Sequence, residues 1–143
     1  MITFERGPYL KAAFFCVNVL EEKDGALTPI RIIDRIIQSA VGPEVPEEMP
    51  EMPYQLKALI MLVSGETIGS YEVKIESIDP SGIKSSSFST TVNFEGGPDK
   101  GINLIINLNL IIKIQGLYWF DVYFNKILLT RMPLRIIYTR TTS

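Results

Sequence analysis

Histidine is absent from this 143-residue chain. That excludes Ser–His–Asp and Cys–His nucleophilic mechanisms. It also excludes imidazole acid–base chemistry and the usual zinc sets of His with Cys. Cysteine is nearly absent. Cys16 stands alone, so no disulfide forms within the chain, as suits a reducing compartment. Cations are few and scattered: Lys plus Arg number 14 against 16 Asp plus Glu, for a net charge of −2. A duplex-binding protein needs clustered cations to release phosphate counterions, so no nucleic-acid partner is expected. No apolar run nears the roughly 20 residues that cross a bilayer as a helix, so no membrane segment is expected. Residues 12–20 (AAFFCVNVL) have the look of a signal-peptide core. However, Glu21, Glu22, Lys23 and Asp24 follow where a small-residue cleavage site would be needed. The expectation is a soluble, cytoplasmic protein with no cofactor and no metal.

What is present is a dense β pattern. Hydrophobic residues make up 46% of the chain, an ordinary globular share, and its length suits one domain over residues 1–143. In residues 102–114 the even positions are Ile102, Leu104, Ile106, Leu108, Leu110, Ile112 and Ile114. The odd positions are mostly polar: Asn103, Asn107, Asn109 and Lys113, with Ile105 and Ile111 between them. A period of two marks a half-buried strand. After Gly116, the residues Tyr118, Phe120, Val122 and Phe124 alternate with Leu117, Trp119, Asp121 and Tyr123. Asn125-Lys126 reads as a short turn into a last run, 127–138. Pro133 within that run marks an edge or a bulge, because proline donates nothing to a ladder. Three consecutive antiparallel strands are therefore expected. Trp119, Asp121 and Tyr123 would stand on an exposed face beside the row Asn103, Asn107 and Asn109, and aromatics of that kind are common at binding hot spots.

Upstream, residues 9–20 read as a central strand apolar on both faces. Cys16 within it is a small buried hydrophobe rather than a reactive thiol. Asp24-Gly25 signals a hairpin. Residues 28–37 form a strand by their density of Ile, with a Thr28-capped helix beginning at Pro29 as competitor. Arg31 and Arg35 would share a strand face as an anion site, or simply decorate a solvated edge. Residues 41–53 (VGPEVPEEMPEMP) alternate proline with glutamate. They read as a mobile acidic loop joining two halves of a sandwich, and they lack the spaced Asp/Asn pattern and turning Gly of a calcium loop. Residues 54–64 and 66–79 are strands with Gly65-Glu66 as the turn between them. Asp79-Pro80-Ser81-Gly82 is a β-turn by residue type. Residues 85–94 form an exposed strand. Residues 95–101 (EGGPDKG) fit no phosphate-cradling spacing and read as a strand connection. Residues 139–143 read as a frayed tail. The count is about eight strands, spaced as in antiparallel sandwiches and barrels.

Two groups of residues together resemble a family of small bacterial and phage-associated proteins of unknown function. One is Ala13-Phe14-Phe15-Cys16 with 21–25 and Ile30-Arg31-Ile32-Ile33-Asp34. The other is Gly116-Leu117-Tyr118-Trp119-Phe120-Asp121-Val122 with Pro133-Leu134-Arg135-Ile136, and Asp79-Pro80-Ser81-Gly82 lies between the two groups. The resemblance implies an all-β, immunoglobulin-like Greek-key sandwich and carries no catalytic residue. The Gly-x-Tyr-x-Phe-x-Val pattern at 116–122 also looks like the penultimate strand of immunoglobulin-like folds, where a Tyr often anchors a corner.

With no catalytic motif, the expected function is a non-catalytic protein-interaction or scaffold module that binds a protein partner or forms a homo-oligomer. The alternatives are a carboxylate enzyme using Asp34 and Asp121 and a calcium- or ligand-binding sandwich using the acidic loop.

Overall fold

The computed structural model describes residues 6–141. Seven strands run in the order β1 (Tyr9–Glu21), β2 (Leu27–Ile33), β3 (Arg35–Val41), β4 (Met52–Ile78), β5 (Lys84–Ile112), β6 (Gly116–Phe124) and β7 (Ile127–Thr141). They make two facing layers. Residues 52–63 of β4 pair with residues 101–112 of β5 on one side, and residues 57–63 pair with β1 on the other; β1 in turn pairs with β2. Residues 73–78 of β4 pair with β6 on one side and with the first half of β5 on the other, and β7 and β3 continue that layer.

The β4–β5 hairpin is therefore one long ribbon that serves both layers. It bends where its register shifts, between Val63 and Gly65 and again between Gly65 and Ile68. Gly65, Gly69, Gly96 and Gly97 all have positive φ at this bend. The turn expected at Gly65-Glu66 and the strand connection expected at 95–101 do not reverse the chain; they carry an unbroken ribbon from one layer to the other. Conversely, the single strand expected at 28–37 is two strands, which rules out the helix. The chain leaves the first layer at Asp34 and joins the second, where the Arg135 N–H donates to the Asp34 carbonyl at 3.0 Å. One split and two mergers turn the expected eight strands into seven.

The sandwich is antiparallel except at one edge, where β3 and β7 run parallel from Arg35↔Arg135 to Val41↔Thr141. Two expectations are corrected here. Thr139, Arg140 and Thr141 are paired strand rather than frayed tail, while residues 142–143 lie outside the described part. Pro133 is on a strand flanked on both sides, but it precedes the first β3 pairing by two residues. It sits where the β3 side of β7 is still open, so its missing donor disrupts no ladder.

The core lies between the layers. Phe15, Ala58, Ile60, Leu62, Ile106 and Leu108 of the first layer meet Val73, Ile75, Phe120, Val122 and Leu134 of the second. The Phe15 and Phe120 rings pack edge to face across the gap, with centroids 5.1 Å apart. Cys16 is fully buried in a smaller cluster with Val19 and Leu59, and burial pushes its thiol up, only partly offset by Lys57.

Local chemistry explains the ends of the elements. Tyr118, at the start of β6, donates its hydroxyl to the Ile114 carbonyl at 2.6 Å, which is the corner expected from the Gly-x-Tyr pattern. Asn125 and Lys126 both have positive φ, as a two-residue hairpin turn between right-twisted strands requires. The Pro/Glu loop is shorter than expected, because β3 runs to Val41 and β4 starts at Met52. It is also pinned rather than mobile. Met49 is buried in the core, the Tyr138 hydroxyl donates to the Pro46 carbonyl at 2.8 Å, and Arg140 donates to the Val45 carbonyl at 3.2 Å.

Candidate functional site

A two-layer sandwich has four edges, and three of these carry a guard against further strand pairing. β2 holds Pro29, and Arg31 has φ 55°. β3 is 7 residues long, begins at Arg35 and is followed by Gly42-Pro43. The first half of β5 carries a register shift opposite Ile75/Glu76 and is followed by Pro98. The fourth edge is residues 101–112 of β5 (GINLIINLNLII). It contains no proline, no charged residue and no register shift. Among the described residues it pairs with β4 only, so every second amide and carbonyl of its outer side points away from the sheet.

Beside this edge the layers part into an open cleft of about 630 Å³. Its rim holds Ser77, Ser85, Ser86, Ser87 and Asn109, and Tyr118 and Phe120 reach its floor. Asp79 is the one carboxylate in its lining. Asp79 Oδ1 accepts from the Ser81 hydroxyl at 2.7 Å and from the Ser81 and Ile83 amides at 2.9 Å each, closing the expected turn. These bonds, the Ser81 hydroxyl first, hold the carboxyl below its ordinary value. A pKa lowered by folding stabilises the fold above the unfolded value of about 3.9, and that contribution disappears as pH falls through the folded pKa. In thermal melts at a series of pH values, wild type should therefore exceed Asp79→Asn at neutral pH, with the gap closing below about pH 4.

The structure separates the two halves of the patch expected from the sequence. Asn103, Asn107 and Asn109 stand exposed on the outside of the first layer, opposite Met61, Lys57 and Gln55. Trp119, Asp121 and Tyr123 stand on the outside of the second layer, opposite Ile78, Glu76 and Lys74. The core lies between the two sets. Alternation along each strand revealed which residues face outward, but it says nothing about which layer the strand joins. The aromatic group is also already engaged. The Arg131 guanidinium stacks 4.4 Å over the Trp119 ring and its Nε donates to Asp121 Oδ1 at 2.7 Å. Asp121 is 5% exposed beneath it. Burial, then Asp121 and Glu76, raises the Tyr123 hydroxyl pKa.

Arg31 and Arg35 do line one shallow depression, together with Asp34. Asp34 lies between them in sequence and pairs with Arg35 at 3.3 Å, which lowers the positive charge an anion would meet. Glu44, Glu47, Glu48 and Glu51 are all exposed, and among the described residues no three His, Cys, Asp or Glu side chains gather as a metal-binding group. No helix of the described residues is long and apolar enough to cross a membrane. The serine-rimmed cleft was not visible in the sequence, because its two sides are more than twenty residues apart along β5. The bare edge was visible in outline, as a long stretch without charge or proline.

The sequence profile of a family of unknown function, DUF6941, matches residues 11–137. The chain belongs to that family. No curated protein matches this DUF6941 member. Among solved structures it is similar to an immunoglobulin-like protein from Pseudomonas aeruginosa, at 11% identity and a TM-score of 0.45, over 93% of this chain and 99% of the other.

Proposed function

We propose that this DUF6941 protein is a non-catalytic, cytoplasmic protein-interaction module that takes a β-strand of a protein partner onto the open edge of β5. The observation that carries the reading is the unguarded stretch 101–112. In strand addition the backbone supplies affinity and alternate side chains supply selectivity. Here Asn103, Asn107, Asn109 and Ile111, the last 62% exposed, stand along that edge. The neighbouring cleft gives an incoming strand room for side chains. The carboxylate-enzyme alternative has less to build on, since Asp34 and Asp121 each already hold an arginine.

Lys100 and Lys113 flank the edge and serve as cross-linking sites. Lysine-reactive cross-linking in host lysate should join partners at these two positions. Asn107→Lys places a charge in the middle of an exposed strand edge, as natural edge guards do. It should leave the melting temperature nearly unchanged and weaken capture at least about tenfold. Cross-links confined to Lys74 and Lys126 on the other layer, indifferent to Asn107→Lys, would remove this reading.

A further inference from the structure

We infer that the strand received by the β5 edge is β5 of a second copy of this chain. The inference rests on the reading of that edge as a strand-addition site and names its occupant. Cross-strand complementarity supports it. Let two copies meet antiparallel about a twofold axis at Ile106. Odd-numbered residues then face odd, and even face even, so the apolar even row of both copies stays on the core side of a continuous sheet. Ile102 comes opposite Leu110, and Leu104 opposite Leu108. On the outer face, Asn103 comes opposite Asn109 of the second copy, where the amides exchange hydrogen bonds.

The ends of the stretch agree with the middle. The same axis places Asp99 opposite Lys113 of the second copy, twice by symmetry. Both side chains are exposed, and no charge lies between Lys100 and Lys113 to be set against its own kind. Ile111 comes opposite Gly101, which has no side chain to oppose it. Shifting the register by one residue in either direction places Asp99 opposite Ile112 or Ile114 and removes both ion pairs. A twofold contact of this type is closed, so it makes a dimer and leaves no bare β5 edge for a third chain.

The test is sedimentation velocity over a wide concentration range with register-specific variants. The wild-type chain should sediment as a concentration-dependent dimer. Asp99→Lys and Lys113→Asp each replace two attractions by two repulsions and should weaken dimerisation about tenfold at low salt. The double variant Asp99→Lys/Lys113→Asp should recover to within about threefold of wild type. Both positions are exposed and remote from the core, so unchanged melts separate these effects from misfolding. Asn103→Cys/Asn109→Cys should oxidise to a covalent dimer, with Cys16 buried and out of reach. Three outcomes would overturn the inference: a monomer throughout, single variants without effect, or no recovery in the double. A monomer whose lysate partners still cross-link at Lys100 and Lys113, and are lost in Asn107→Lys, would overturn the second copy while keeping the strand-addition site. Loss of both would overturn both.

Discussion

Phe120→Ala should lower the unfolding free energy by about 3–5 kcal/mol, read from the midpoint of a urea or thermal transition. Phe120 is 1% exposed and belongs to β6 of the second layer, while its edge-to-face partner Phe15 belongs to β1 of the first. Truncation loses the transfer free energy of the ring and opens a cavity, since the flanking strands are fixed by ladders on both sides and collapse only in part. The aromatic pairing itself adds about 0.5–1.5 kcal/mol of that total. A loss below about 1 kcal/mol would mean that the layers are held mainly elsewhere.

Gly116→Ala should have an effect of similar size, about 3–5 kcal/mol, for a different reason. Gly116 has φ 134°, a backbone conformation that side-chain-bearing residues rarely adopt. A β-carbon there would come within 2.7 Å of Pro80 Cγ and 2.8 Å of Pro80 Cβ. The proline ring is rigid and is held in the Asp79 turn, so it does not yield as a flexible side chain would. Gly25→Ala is the matching control. Gly25 has φ 89° with nothing within 4 Å of the added carbon, so it bears the conformational strain alone, about 1–2 kcal/mol. Equal losses at the two sites would show that the contact with Pro80 contributes nothing.

Phe120 and Gly116 also mark how far the sequence could be read. The inward row Tyr118, Phe120, Val122 and Phe124 was legible because strand alternation is strictly local, and all four are buried. The Asp79 turn and the Tyr118 corner were legible because each depends on residues within a few positions of one another. The bends at Gly65 and at 95–101 read in the sequence as a turn and a strand connection. A glycine with positive φ is equally useful for reversing a ribbon and for bending it, and only the ladder opposite decides between them. The break at Asp34 escaped because its cause is remote: β7 offers β3 a parallel partner about a hundred residues later. Met49 gave no signal either, since it stands among prolines and glutamates with no periodic apolar neighbours to mark it as core. The proposed edge was half legible. The absence of charge and proline could be seen, but its position at the rim of a layer depends on which strands lie beside it.

The ribbon of β4 and β5 has a consequence for how the molecule opens. Each layer owns half of both strands, so neither sheet is a separable unit. Melting the first layer strips residues 52–63 and 101–112, and the other half of β4 is the strand that holds β6. Hydrogen exchange at Leu59 in one layer and at Val122 in the other should accordingly report one shared opening, a single cooperative foldon rather than two.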